Sequence, residues 1–251
     1  LAWITGGVCL VGAPLAYASN NAPEVRDVFG TAGLAILGGQ TRYAHISALR
    51  EDRVGPEALG MSRVVSEDSV RRALLRGTAE TWDAWLLRQE RSVWEPLLAE
   101  PYILDIDSTV KPLYGHQEGA ELGYNPKKPG RPSHNYHTYF IGALRVILGV
   151  DVRPGKEHSG GCGMPGLWAL IDALPPEFRP RLIRGDVGYG SEESMAQAES
   201  RGQRYLFKLR RTTKVRARFR ELAAAADGWI GAGDGWGRCR WRIRRNSARG
   251  R

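Results

Sequence analysis

The hydrophobic period of this 251-residue chain changes at Pro101, and a change of period dictates two kinds of structure in one molecule. Between Val25 and Glu100, apolar side chains such as Leu34, Leu37, Val70, Ala73 and Leu74, with the stretch Tyr43 to Leu49, recur at three- and four-residue steps. That is the step of an amphipathic helix. After Pro101 the runs 102–107, 136–144, 145–152, 181–186 and 205–209 read as strands. Helical runs, 165–174 and 191–201, separate the later strands, with Ser191 as cap and Gly202 as stop. Three strands followed by helix, strand, helix and strand give an α/β order, one mixed sheet covered by helices. The expected organisation is a helical region over 1–100, an α/β core over 101–217 and a divergent tail over 218–251.

In the helical region, Ser66 caps a helix Glu67 to Leu75, with Glu67 and Asp68 at its positive end and Arg71, Arg72 and Arg76 toward its other end. A helix-turn-helix and an ordinary amphipathic helix with a basic polar face both fit this run. Residues 1–23 carry no charge, yet they lack the basic start of a signal peptide, and Gly6, Gly7, Gly12 and Pro14 interrupt any membrane span. A buried helix and loop is the expectation there. The missing initiator Met and a tail of Gly, Trp and Arg suggest that both natural ends are absent.

Charge sets the class of partner. Thirty-six Lys and Arg against 27 Asp and Glu leave a net charge of +9, which suits a polyanion, most simply nucleic acid. Cys9, Cys162 and Cys239 stand far apart without metal-ligand spacing, which argues against a zinc site or a disulfide framework and fits a reducing cytoplasm.

The run Tyr102-Ile-Leu-Asp-Ile-Asp-Ser-Thr-Val sets two aspartates in an apolar strand. An ionised carboxylate there requires a metal, a cation or a set of donors. Alternation puts Asp105 and Asp107 on one face, with Asp107 nearer the exposed end as the preferred metal ligand; pairing of both with arginines is the plainer alternative. A second strand ends at Asp186 in Arg184-Gly-Asp-Val-Gly-Tyr-Gly, at the edge where open α/β sheets place ligands. A turn and cap is the plainer role for Asp186. Two such aspartates on adjacent strands make a hard oxygen site for Mg²⁺, which serves phosphodiester chemistry.

Between them, Gly123-Tyr-Asn-Pro-Lys-Lys-Pro-Gly-Arg-Pro-Ser-His-Asn-Tyr-His-Thr-Tyr combines cations with aromatics. Lys127, Lys128 and Arg131 suit phosphate contacts, and His134 and His137 join them as DNA-binding candidates. A solvated basic loop is equally compatible with this composition. Lys208, Arg210 and Lys214 lie in a second basic run that suits the same groove.

Taken together, Asp107-Ser-Thr-Val-Lys-Pro-Leu-Tyr-Gly-His-Gln-Glu-Gly-Ala, the loop from Gly123, Arg184-Gly-Asp and Tyr205-Leu-Phe-Lys-Leu resemble a bacterial insertion-sequence transposase of the DDE type. Arg42-Tyr-Ala-His-Ile-Ser-Ala-Leu-Arg and Val65-Ser-Glu-Asp-Ser-Val-Arg-Arg-Ala-Leu look like its helical N-terminal part, so the resemblance spans 14–217. It implies a ribonuclease-H-like core, with Asp107 and Asp186 as the first two catalytic, metal-binding carboxylates. It further implies Mg²⁺ or Mn²⁺ as cofactor, double-stranded DNA (terminal inverted repeats and target) as partner, a homodimer, a nucleoid-associated bacterial cytoplasmic protein and no membrane. The family's third carboxylate has no counterpart here, because Glu221, Asp227 and Asp234 come too early and the tail from Gly228 departs from the pattern. A non-catalytic DNA-binding remnant is therefore the rival expectation. A general nuclease is a third, distinguished by the absence of selectivity for inverted repeats.

Overall fold

In the computed structural model, which describes residues 10, 12–126, 128–157, 159–224, 230–233 and 236–238, the chain forms two units, Leu1–Ala99 and Glu100–Arg251. The readings that concern Cys9, Lys127, Asp227, Asp234 and Cys239 lie outside the described residues.

The first unit is helical, as its period requires. It contains α1 (Val25–Leu37), a 3-10 segment (Tyr43–Glu51), α2 (Val54–Ala58), α3 (Glu67–Leu74), α4 (Ala79–Trp94) and a 3-10 turn (Glu95–Ala99). Val28 and Ala35 of α1 meet Ile46, Val64, Val65, Val70 and Ala73 in one apolar cluster. Two buried polar side chains of α1 fasten the chain entering α3. Asp27 accepts from the Ser62 backbone N–H at 2.8 Å, and Thr31 Oγ1 accepts from that of Val65 at 3.0 Å. Both groups are thereby satisfied, which removes most of the cost of burying them. Ser66 caps α3 by accepting from the Ser69 N–H, and Arg71 and Arg72 both pair with Asp68 one turn earlier. Those pairs neutralise part of the basic face of α3.

The second unit is built on a sheet with strand order β3-β2-β1-β4-β5. Its strands are β1 (Ile103–Pro112), β2 (Ser133–Ile141), β3 (Val146–Pro154), β4 (Leu182–Gly185) and β5 (Tyr205–Phe207). β1, β2 and β3 run antiparallel, while β4 pairs parallel with β1 and β5 parallel with β4. Alternation gives the sheet two unlike faces. Leu104, Ile106, His137, Tyr139, Ile141 and Ile183 point to one face and are buried. That face is covered by α5 (Ser159–Ala173), through Met164, Leu167, Trp168 and Ile171, with α6 (Glu192–Ser200) beside it. Trp168 Nε1 donates to Gln197 Oε1 at 2.7 Å, tying the two helices together. Asp105, Asp107, Thr138, Val150, Val152, Arg184 and Leu206 share the opposite face by register. Five aliphatic side chains on this second face, Ile103, Ile147, Val150, Val152 and Leu206, are 41–58% exposed, so it is largely open.

This mixed sheet with its helices is the ribonuclease-H-like α/β architecture the sequence leads one to expect. α5 differs from expectation by starting at Ser159, so that Pro165 lies inside the helix. Beyond the core follow α7 (Thr213–Ala224), which buries no residue, and a hairpin of β6 (Ile230–Gly233) and β7 (Trp236–Arg238). No helix among the described residues is long and apolar enough to cross a membrane.

Candidate metal and nucleic-acid site

Two neighbouring parallel strands lead up to the two aspartates. Residues Ile103 to Ile106 of β1 pair in order with Leu182 to Gly185 of β4. The ladder ends there, and the next residue of each strand is an aspartate, Asp107 on β1 and Asp186 where the chain leaves β4, both exposed. Adjacent strands lie about 4.8 Å apart, a spacing across which two carboxylates can share an ion.

One step back in the register sits a contrasting pair. Asp105, 7% exposed, faces its partner Arg184, whose Nη2 donates to Asp105 Oδ2 at 2.9 Å and whose Nε donates to Oδ1. The plainer reading of an aspartate pairing with an arginine thus holds for Asp105. Asp107 and Asp186 have no Lys or Arg partner within 4.0 Å among the described residues. Free carboxylates on one face suit a divalent ion, for which hard oxygen donors are the natural ligands. Asp186 also makes the turn that alternation could not reveal: its Oδ1 accepts from the Gly188 N–H at 2.8 Å and its carbonyl from Tyr189 at 3.2 Å. The turn and the candidate ligand are the same residue, with Oδ2 left for other use.

The close approach of the next strand constrains this turn. A Cβ on Gly190 would lie 2.2 Å from the Lys208 carbonyl, so the chain leaving β5 runs directly against the turn. Lys208 donates its N–H to the Gly185 carbonyl at 3.2 Å and follows directly on the last β4–β5 pair, Gly185 with Phe207. It is exposed. Of the basic candidates, Lys208 is bonded through its backbone to Gly185, the residue before Asp186.

Lys128, Arg131 and His134 belong to the loop and the start of β2, where Lys111 pairs with His134. Lys111 lies four residues along β1 from Asp107, about 13 Å at the usual strand rise. Asn125, 5% exposed, orders the loop by accepting from the Lys128 N–H at 3.0 Å and donating to the Arg131 carbonyl at 3.4 Å. The Arg131 guanidinium lies over the Tyr114 ring, 4.4 Å from its centroid, so its charge is held on a platform. His134 Nε2 meets the Glu118 carbonyl at 2.8 Å. Arg210 and Lys214 lie on the segment after β5 and in the first turn of α7, both exposed.

His137 requires correction as a DNA contact. It is wholly buried on the covered face, because alternation along β2 turns it toward α5. Its Nδ1 lies 3.1 Å from the Tyr189 hydroxyl, and its Nε2 has no hydrogen-bond partner among the described residues. Burial lowers its pKa, opposed by Asp151 and Glu157 and reinforced by Arg153, so the ring is neutral at ordinary pH.

Tyr189 and Ser108 are the residues that inspection of charged motifs overlooks. Tyr189 is fully buried beneath the sheet, and Ser108 hydrogen-bonds its hydroxyl. Burial pushes the phenol well above its ordinary range; the Ser108 bond opposes this, and the negative charges of Asp107 and Asp186 add to it. A large aromatic ring between Gly188 and Gly190 was the available signal, since such a ring in a tight turn must find cover.

Glu221 lies on α7, exposed and paired with Arg218 at 2.6 Å. Among the described residues no three His, Cys, Asp or Glu side chains converge.

A family model described as transposase DDE domain group 1 matches residues 23–230. No curated protein matches the chain. Among solved structures, it is similar to the piggyBac transposase synaptic complex with hairpin DNA, at 13% identity over 90% of this chain and 50% of that one, with a TM-score of 0.42. The Mos1 transposase paired-end complex with left transposon end is 10% identical over 84% and 74% of the two chains, with a TM-score of 0.30. A Mos1 mariner paired-end complex with Mn is likewise 10% identical over 82% and 72%, with a TM-score of 0.30. The chain spans half the length of the piggyBac protein it resembles.

Proposed function

The chain belongs to the DDE transposase family, group 1, and on that premise we propose that it cuts and joins DNA at the ends of a mobile element, with Asp107 and Asp186 holding a divalent metal, Mg²⁺ or Mn²⁺. The observation that supports the proposal is the β1–β4 register, whose last pair precedes both aspartates, each exposed, while Asp105 is occupied by Arg184. A divalent ion at such a site activates an attacking oxygen and stabilises the leaving one in phosphodiester chemistry.

The chain's own residues bind and orient. Asp107 and Asp186 supply hard oxygen ligands, and Lys208, bonded through its backbone to Gly185, neutralises the phosphate nearest the reaction. Lys128 and Arg131, on the loop ordered by Asn125, take phosphates farther along the duplex, with His134 beside them. Arg210 and Lys214 extend the basic track past β5. Double-stranded DNA, as terminal repeats and target, is the substrate, and the net charge of +9 favours it.

The test uses supercoiled plasmid carrying the DNA that flanks the chain's own gene, incubated with the full chain in Mg²⁺ or Mn²⁺. Nicking or excision is expected from the unaltered protein and is expected to be lost in Asp107→Ala and Asp186→Ala. Asp107→Ala should bind the same DNA as tightly as the unaltered chain or more tightly, because it removes a negative charge near phosphate. Wild-type cutting by Asp107→Ala would sink the assignment. Binding without cutting by the unaltered chain would identify a DNA-binding remnant instead.

A further inference from the structure

The last recorded backbone pair between β1 and β4 is Ile106 with Gly185, so the ladder stops one residue short of both aspartates. Asp107 continues along a ten-residue strand and is held by its pairing with Thr138 on β2. Asp186 enters a turn, and a different device must hold it against β1. Tyr189, three residues later, has its N–H bonded to the Asp186 carbonyl, while its phenol passes under the sheet to Ser108, the neighbour of Asp107, and to His137 on β2. One side chain therefore links the turn of Asp186 to the strand of Asp107 and to the strand beyond it.

We infer that Tyr189 is a positioning residue for the carboxylate pair, its hydroxyl clamped between Ser108 and His137 so that Asp186 keeps a fixed separation from Asp107. Three further observations support this. The phenol is fully buried, and a buried hydroxyl without partners would be costly, so its bonds specify one place for the ring. Ser108 and His137 are cross-strand partners in the β1–β2 register, one step from the pairing of Asp107 with Thr138, so the phenol meets β1 and β2 beside Asp107. The backbone of α5 closes the pocket, for a Cβ on Gly163 would stand 2.8 Å from His137 Nδ1 and 2.9 Å from Tyr189 Cε1. Groups that orient metal ligands from behind commonly change metal affinity by about 10- to 100-fold when removed.

The inference rests on Asp107 and Asp186 being metal ligands, and the experiment separates the two claims. Mn²⁺ binding to the full chain is measured from the electron paramagnetic resonance signal of the free ion, beside thermal melting of each variant. The unaltered chain binds Mn²⁺ and Asp107→Ala does not. Tyr189→Phe, which removes only the hydroxyl, weakens Mn²⁺ binding about tenfold in protein that is still folded at the assay temperature. Ser108→Ala does the same, Ser108→Thr restores binding by restoring a hydroxyl, and Tyr189→Phe with Ser108→Ala is no worse than either alone. If Tyr189→Phe does not fold, Ser108→Ala and Ser108→Thr carry the test. A residue that merely fills space would leave Mn²⁺ affinity unchanged while lowering the melting temperature. Wild-type affinity in Tyr189→Phe, or in Ser108→Ala, with loss in Asp107→Ala overturns the positioning role alone. Wild-type affinity in Asp107→Ala, or no binding by the unaltered chain, overturns the metal site and the positioning role with it.

Discussion

His137 sits where alternation along β2 meets the underside of α5, and its chemistry follows from that burial. Its pKa is lowered in the folded protein, chiefly by desolvation, with Asp151, Arg153, Glu157 and the Tyr189 hydroxyl as its polar surroundings. The unfolded chain takes up the imidazole proton more readily than the folded one, so stability rises with pH across the window between the two pKa values. It is fully present above the ordinary value of 6.5 and is lost as pH falls from there toward the folded value. Urea midpoints should therefore decline as pH drops below about 6.5, and His137→Gln should remove that part of the decline. Equal pH dependence in both proteins would count against a buried neutral ring. His137 was misread from sequence because it sits in a run of polar and aromatic residues; which of two alternating sets is buried depends on register, a tertiary property. Asp105 shows the same limit. Its shared face with Asp107 was legible from spacing, but its Arg184 partner arrives on another strand.

Among the elements, the helices with capping side chains were the clearest in the sequence. Ser66 and Ser191 each accept from the N–H three residues on, as a local signal allows one to predict. α5 was legible only from Pro165 onward, since Gly160, Gly161 and Gly163 each cost about 1 kcal/mol of intrinsic helix preference and Pro165 about 3. Packing outweighs that preference, and the glycines are what permit it. A Cβ on Gly166 would fall 2.3 Å from the Tyr139 hydroxyl and 2.8 Å from Asp151 Oδ2, so the helix backbone sits directly on the sheet. Tyr139 donates from this contact to the Gly163 carbonyl at 2.9 Å. Gly166→Ala, which improves helix preference, should nonetheless destabilise the protein by about 1–3 kcal/mol through overpacking. Chemical denaturation decides the matter, and a gain in stability would show that α5 is free to shift.

For the whole molecule, a surplus of nine positive charges and exposed Lys128, Arg131 and Lys208 should make the proposed DNA binding strongly dependent on salt. The observed affinity should fall linearly on a logarithmic plot against salt concentration, and neutralising Lys208, Lys128 or Arg131 should each reduce the slope by about one. A variant that weakens binding without changing the slope does not remove a phosphate contact. Overall charge and the order of strands and helices were readable from composition and period. The adjacency of β1 and β4 was not fixed by any local pattern, because a hairpin, a loop and α5 intervene; only the family resemblance linked Asp107 with Asp186.

The same strand order has a consequence during synthesis. β4 follows β1, β2 and β3 in the chain, so a meander formed before β4 is synthesised would leave β1 as an edge, with its N–H and C=O groups open to any other extended chain. Asp105 and Asp107 lie on that edge. Charged side chains on an exposed strand discourage edge-to-edge aggregation, so the two aspartates would guard an unfinished sheet.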